Sequence, residues 1–193
     1  MSELALNLNK KYTYKDYLNF PDDFRCEIIN GVIYNMSAAP RRMHQKISGE
    51  IFRQFANYLK GKPCEVYDAP FDVRIPLTKE DSDYKIDTVV QPDIVVVCNQ
   101  SKLDDAGCLG SPDLIIEIIS ESTAHKDLKI KFNLYEKAGV KEYWVVFPDE
   151  KVIQIFKLVN GEYGKPEVYG TDDKIEVKYL DDLVIDLKEV FIN

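Results

Sequence analysis

Residues 89–98 read VVQPDIVVVC, and residues 112–119 read PDLIIEII. Each is a short apolar run, rich in β-branched residues, that reads as a strand buried on both faces. Each also holds a carboxylate: Asp93 directly after Pro92, and Glu117 among isoleucines. A carboxylate inside a buried strand is costly unless it is paired or binds a cation. Either residue alone could mark a strand end or face solvent from an edge strand. Together they suit neighbouring central strands whose acidic side chains reach one spot. Two carboxylates meeting there would repel unless a divalent cation sat between them. Oxygen-only ligands favour Mg²⁺ or Mn²⁺, which keep waters and take few carboxylates.

Working outward, RCEIINGVIYNM (25–36) places Asn30-Gly31 between two apolar runs, the signature of a tight hairpin. Ile47, Ile51, Phe55 and Leu59 recur every four residues and predict a helix over 42–60, ended by Gly61 and Pro63. CEVYDAPFDVRI (64–75) reads as one strand, 76–88 as a polar loop and 89–98 as the next strand. Another loop leads to the strand at 113–119. A second helix spans about 122–138, capped by Ser122 or Thr123 and stopped by Gly139. Two strands separated by a short turn follow, and the chain ends in a strand and a short helix. The order α, ββ, α, βββ, α, ββ and a tail predicts a central mixed sheet flanked by helices. No repeat or linker divides the chain, so residues 1–193 read as one domain with its core at about 25–158.

The net charge of −8 excludes a wholly basic surface for duplex binding, but not a local basic groove or a metal-neutralised site. No apolar run approaches the ~20 residues of a membrane helix, and the first residues lack a signal core, so a cytoplasmic protein is expected. The cysteines form no CxxC, which argues against zinc. Cys26, Cys64 and Cys98 lie in strand-like stretches and read as reduced, mostly buried thiols.

QPDIVVVC, followed by SPDLIIEIISESTAHKDLKIKFNLYEKAGVKEYWVV, resembles the Uma-type restriction endonucleases, a bacterial branch of the PD-(D/E)xK nuclease superfamily. CEIINGVIYNMS, HQKISGEI and PFDVRI extend the resemblance over most of the chain. It implies an α/β (α+β), restriction endonuclease-like fold with an N-terminal hairpin. It implies that Asp93 is the metal-binding aspartate and Glu117 the second acidic ligand, with the Ile118 carbonyl as a further one. The third element departs, because Ile119 stands where a lysine is usual. The pattern D-L-x-x-K-x-x-x-Y makes Lys131 the candidate for a lysine moved to the next helix. Asp127, Lys131 and Tyr135 then share a helical face, with Leu128, Leu134 and Tyr135 on the apolar stripe. An Asp127–Lys131 surface pair is the bland alternative.

Glu27 matches an acidic position of the family that completes the metal site, or is a carboxylate on an ordinary hairpin. His44 either touches a phosphate or caps the first helix. Gln91 shares a strand face with Asp93 and either orients a metal-bound water or fills a satisfied polar position. Asp113 repeats the Pro-Asp of 92–93 but opens its strand after a loop, where a solvated aspartate is normal. Asp68 and Asp72 read as structural or exposed. Arg41, Arg42, Lys46, Lys126 and Lys129 form either a phosphate track or a solvated face.

The resemblance implies a Mg²⁺- or Mn²⁺-dependent endonuclease acting on nucleic acid, DNA foremost, with Asp93, Glu117, Lys131 and Glu27 as its catalytic set. The apolar C-terminal segment suggests a homodimer. The alternatives are a catalytically inactive nuclease-fold binding or interaction protein, and a hydrolase of another phosphoester.

Overall fold

The computed structural model describes residues 7, 9–21, 23–36, 39–77 and 83–192. A one-turn helix, α1 (Tyr14–Tyr17), precedes the hairpin of β1 (Cys26–Ile29) and β2 (Val32–Asn35). Asn30 and Gly31 close that hairpin with φ of 51° and 80°, the left-handed pair its two-residue turn requires. The helix α2 (Arg42–Leu59) buries Ile47, Ile51, Phe55 and Leu59 along one face. Phe55 meets Trp144 edge-on, with ring centroids 5.7 Å apart.

Two of the expected strands are each broken in two. Residues 64–75 give β3 (Glu65–Asp68) and β4 (Val73–Arg74). Residues 89–98 give β5 (Val89–Val90) and β6 (Ile94–Val97). In both cases the chain leaves one sheet and enters another. Pro70 and Pro92 sit at the breaks, where a residue without an N–H cannot continue a ladder. The Ala69 N–H donates to the Asp93 carbonyl at 3.1 Å and ties the two crossings together. Asp93 therefore stands at a crossing between sheets, not in the middle of a strand.

Of the polar loop 76–88, residues 78–82 lie outside those described. The loop after β6 contains a small hairpin, β7 (Leu103–Asp104) and β8 (Gly107–Leu109). Next comes β9 (Leu114–Ile118). The second helix begins with a π-helical segment, Lys126–Lys131, and continues as α3 (Phe132–Ala138), which ends at Gly139 with φ 85°. There follow β10 (Glu142–Phe147), β11 (Val152–Val159), β12 (Glu162–Tyr163), β13 (Glu167–Gly170), β14 (Lys174–Glu176), β15 (Val184–Asp186) and α4 (Leu187–Val190).

In place of one central sheet there are two, of order β2-β1-β5-β4-β8-β7 and β12-β11-β10-β9-β6-β3, with β13 also on β11 and β14-β15 apart. The second is mixed: β9 and β10 run parallel through the helical crossover, while β6 pairs antiparallel with β9. Its faces carry separate cores. Ile94, Val96, Leu114 and Ile116 pack with α2, and Val95, Val97 and Ile115 pack with Leu134 and Tyr135 of α3.

Two further expectations change. Cys64 and Cys98 form a disulfide, because the β3–β6 register sets them opposite each other; Cys26 and Cys108 are the buried free thiols. The apolar C-terminal residues Ile185, Leu187 and Val190 were expected at a surface and are instead buried against α2 within the chain's own core. No helix among the described residues is long and apolar enough to cross a membrane. The α2 face is the keystone of the first core. Phe55→Ala should lower unfolding free energy by ~3–5 kcal/mol, measured by urea denaturation against wild type.

Candidate active site

Glu117 shares the parity of Ile115 on β9, so it faces the second helix rather than α2. One step along the register Ile94↔Ile116 brings Asp93 opposite Glu117. The two strands thus deliver both carboxylates to one end of the sheet. From the helix, Lys131 Nζ reaches Glu117 Oε1 at 2.8 Å and Glu27 Oε1 at 2.7 Å. Tyr135 donates its hydroxyl to the same Glu117 oxygen at 2.8 Å. Lys131 is only 2% exposed, so the surface-pair reading does not apply to it.

Glu27 comes from β1, in the other sheet. Its Oε2 takes Lys126 Nζ at 2.6 Å, and its Oε1 also accepts the Gln91 N–H at 3.0 Å. Both oxygens of Glu27 are therefore engaged by lysine. Burial alone would raise its pKa, but Lys131 and then Lys126 outweigh it and hold the carboxyl below its usual value. Lys131 is kept cationic, its pKa lowered by burial but raised further by Glu117, Glu27 and Asp127. Glu117 moves the other way. Burial pushes it up to about 8; Lys131 opposes this, while Asp127, Asp93 and Glu27 add to it. Lys131 therefore does not offset the cost of burying Glu117 beside three other acids. The local excess of acid is what a divalent cation would neutralise.

His44 lies in the first turn of α2 and does not cap it, for the N-cap position is Arg41. Its Nε2 stands 3.3 Å from Asp93 Oδ2. That oxygen also accepts the Ile118 N–H at 2.7 Å. Burial lowers the His44 pKa, but the hydrogen bond and charge of Asp93 and a hydrogen bond with the Ile118 backbone raise it overall. Gln91 does not share a face with Asp93, because the chain bends at Pro92. Its side chain donates to Asp72 Oδ1 at 2.8 Å and to the Tyr17 hydroxyl at 3.1 Å, a satisfied structural position.

Asp113 is buried rather than solvated. It accepts the Cys98 N–H at 2.7 Å and pairs with Lys141 at 2.6 Å. Of the five basic candidates, Lys126 is bound to Glu27 and Lys46 to the Ile192 carbonyl, while Arg41, Arg42 and Lys129 are exposed. Leu128 is exposed too, off the apolar stripe. The Phe132 N–H bonds to the Asp127 carbonyl five residues back, and this wider winding turns Asp127 and Lys131 inward instead. Asp127 and Tyr135 thus enter the cluster without having been assigned a role from sequence. The signal was present: both lie at helical spacing from Lys131, in the quoted pattern.

Among the described residues no three His, Cys, Asp or Glu side chains converge on one metal position. Mg²⁺ does not need three, since one or two carboxylates plus waters suffice. The hydrogen bonds above use Asp93 Oδ2 and Glu117 Oε1. Asp93 Oδ1 and Glu117 Oε2 accept none among the described residues. These two oxygens, and the carbonyl of Ile118 that follows Glu117 in the chain, are oxygen donors of the kind a hard cation takes.

The His44–Asp93 contact has a pH signature. A histidine whose folded pKa is raised above the ordinary 6.5 contributes stability in full below that value. The contribution is lost as pH rises through the folded pKa. Urea denaturation of wild type and His44→Gln should therefore show an advantage for wild type near about pH 6 that shrinks by about pH 9. A constant difference would refute the contact.

Three comparisons bear on identity. A solved structure described as a "putative nuclease belonging to DUF820", from Anabaena variabilis, superposes with a TM-score of 0.72 at 19% identity, covering 93% of this chain and 97% of that one. It shows a shared fold. An uncharacterized protein of Synechocystis is 26% identical over 172 residues, 87% of this chain and 85% of that one. The family Uma2, described as "Putative restriction endonuclease", matches residues 13–188, nearly the whole chain and every residue of the site. The chain belongs to the Uma2 family.

Proposed function

We propose that the chain is a Mg²⁺-dependent endonuclease that hydrolyses phosphodiester bonds in nucleic acid, with DNA as its substrate. The observation that carries this reading is the placement of Asp93, bonded to the Ile118 N–H, at the end of the strand pair that carries Glu117, which is itself bonded to a buried lysine. A cation held by Asp93, Glu117 and the Ile118 carbonyl would lower the pKa of a bound water and neutralise phosphoryl charge. The chain's own groups prepare the site. The Ile118 N–H and His44 fix the Asp93 carboxylate, and Tyr135 fixes that of Glu117. Lys131 supplies a positive charge at a desolvated position, where it stabilises negative charge developing on the scissile phosphate. Glu27 anchors Lys131 and Lys126 rather than acting as a ligand, since both its oxygens are already held. Arg41, Arg42 and Lys129, exposed at the ends of the two helices, are the candidates to guide the phosphate backbone.

A second reading has its own observation. Glu117 is 4% exposed, and one of its oxygens is closed off by Lys131 and Tyr135. A nuclease fold that binds nucleic acid or a partner without turnover would tolerate such a site.

The test begins with Mn²⁺ calorimetry on wild type and on Asp93→Ala with Glu117→Ala. Binding should be present in the first and absent in the second. Fluorogenic duplex DNA, single-stranded DNA and RNA are then assayed with Mg²⁺. Lys131→Met should reduce cleavage by about 10²–10³-fold. Absence of Mn²⁺ binding by wild type would sink the metal mechanism. Binding without cleavage would move the chain to the second reading. Cleavage of a small phosphodiester that nucleic acid fails to inhibit would name another substrate class.

A further inference from the structure

We propose that Asp127 is the alternate acceptor for Lys131, taking its ammonium when Glu117 turns to a cation. The inference rests on the metal site proposed above and names a positioning residue within it.

Asp127 is 3% exposed, and its Oδ1 has no hydrogen-bond partner. A buried carboxylate oxygen left unsatisfied is costly and needs a reason. Lys131 Nζ lies 3.8 Å from that oxygen. This is too far for a hydrogen bond but within reach of a small rotation of the lysine side chain. Lys131 now spends its ammonium on Glu117 and Glu27.

Lys131 holds Glu117 through Oε1, so a carboxylate that rotates to present Oε2 to a cation would draw Oε1 away from the ammonium. Once Glu117 is drawn to a cation, the ammonium retains Glu27 and needs a replacement for what it lost. Asp127 supplies one without moving. Its carbonyl is held by the buried Tyr143 hydroxyl at 3.1 Å, and its N–H is bonded to the Thr123 carbonyl at 2.9 Å. The π-helical winding explains why it is there. In that segment Asp127 and Lys131 are buried while Leu128 is exposed. Two acceptors on either side of one ammonium, one of them empty, give Lys131 two stable positions about the Glu27 pivot.

The first test is structural and needs no metal. In a crystal structure of full-length Glu117→Ala, Lys131 Nζ should lie within hydrogen-bond distance of Asp127 Oδ1. A lysine still far from Asp127 overturns the proposal. The second test is Mn²⁺ calorimetry on Asp127→Ala and Asp127→Asn, with melting temperatures as the control for folding. Loss of the acceptor should weaken Mn²⁺ binding about tenfold in Asp127→Ala. Asp127→Asn keeps an acceptor oxygen and should recover part of that loss. Equal losses in both variants would mean that only charge matters, and unchanged affinity that Asp127 is a bystander; either overturns the proposal. Failure of wild type to bind Mn²⁺ counts against the proposed function, and the crystal structure still decides the acceptor.

Discussion

One buried ammonium organises this protein. Lys131 bonds Glu27 from one sheet and Glu117 from the other, and it reaches them from the helix that links β9 to β10. Three independent elements are thus pinned at one atom. The geometry has consequences on every side. Glu27 must stay ionised to keep its two lysines, so the β1–β2 hairpin is locked against the start of the helix. Glu117 must stay buried to meet Lys131, so β9 remains central. The crossing at Gln91–Asp93 is held by the Gln91 N–H on Glu27 and by the Asp93 carboxylate on Ile118. Removing one partner of such a cluster leaves uncompensated charge in the interior, which costs several kcal/mol.

The two Pro-Asp pairs show how one sequence feature takes two roles. Each aspartate precedes a strand of the β6–β9 pair, and each caps the far end of the other strand. Asp93 accepts the Ile118 N–H, and Asp113 accepts the Cys98 N–H. The backbone arrangement is therefore nearly symmetric. The surroundings are not. Asp113 meets Lys141, a mostly exposed cation that neutralises it at the surface. Asp93 stands one step beyond the Ile94↔Ile116 pair, next to Glu117 in the register, and meets His44 from α2. The chemistry lies in what faces the carboxylate, not in the dipeptide.

This separates what was legible in the sequence from what was not. Periodicity located α2 to within a residue, because its buried stripe is regular and its end is marked by glycine. Asn30-Gly31 gave the hairpin outright, since few pairs accept two positive φ values. The pairing of the two acidic strands followed from their shared apolar character. The sheet crossings at Pro70 and Pro92 were hidden, because an apolar run has the same composition whether it serves one sheet or two. The Cys64–Cys98 bond depended on a register that no local pattern encodes. Asp127 was placed on the Lys131 face by helical spacing, but its burial was not legible, because a surface pair has the same spacing. Asp93 and Glu117 stood out because a charge interrupted a greasy run, while Lys131 and His44 were legible only through the family pattern.

A buried charge cluster is weak evidence for stability, since apolar residues of equal volume commonly do as well or better. That argues for reading this one as a device for chemistry. The cluster also holds more acids than bases: Glu27, Glu117, Asp127 and Asp93 outnumber the two lysines among them, and burial, with the neighbouring acids adding to it, raises the Glu117 pKa to about 8, so a proton stands where a cation could. A purely structural network would gain by losing an acid. Here the surplus includes two acids of the β6–β9 pair, at the end of the ladder where Asp93 bonds the Ile118 N–H. An acidic protein has no general attraction for a polyanion. It can work on one only where a local positive charge outweighs its own, and a cation at Asp93 and Glu117 would supply that charge beside a lysine already fixed in place.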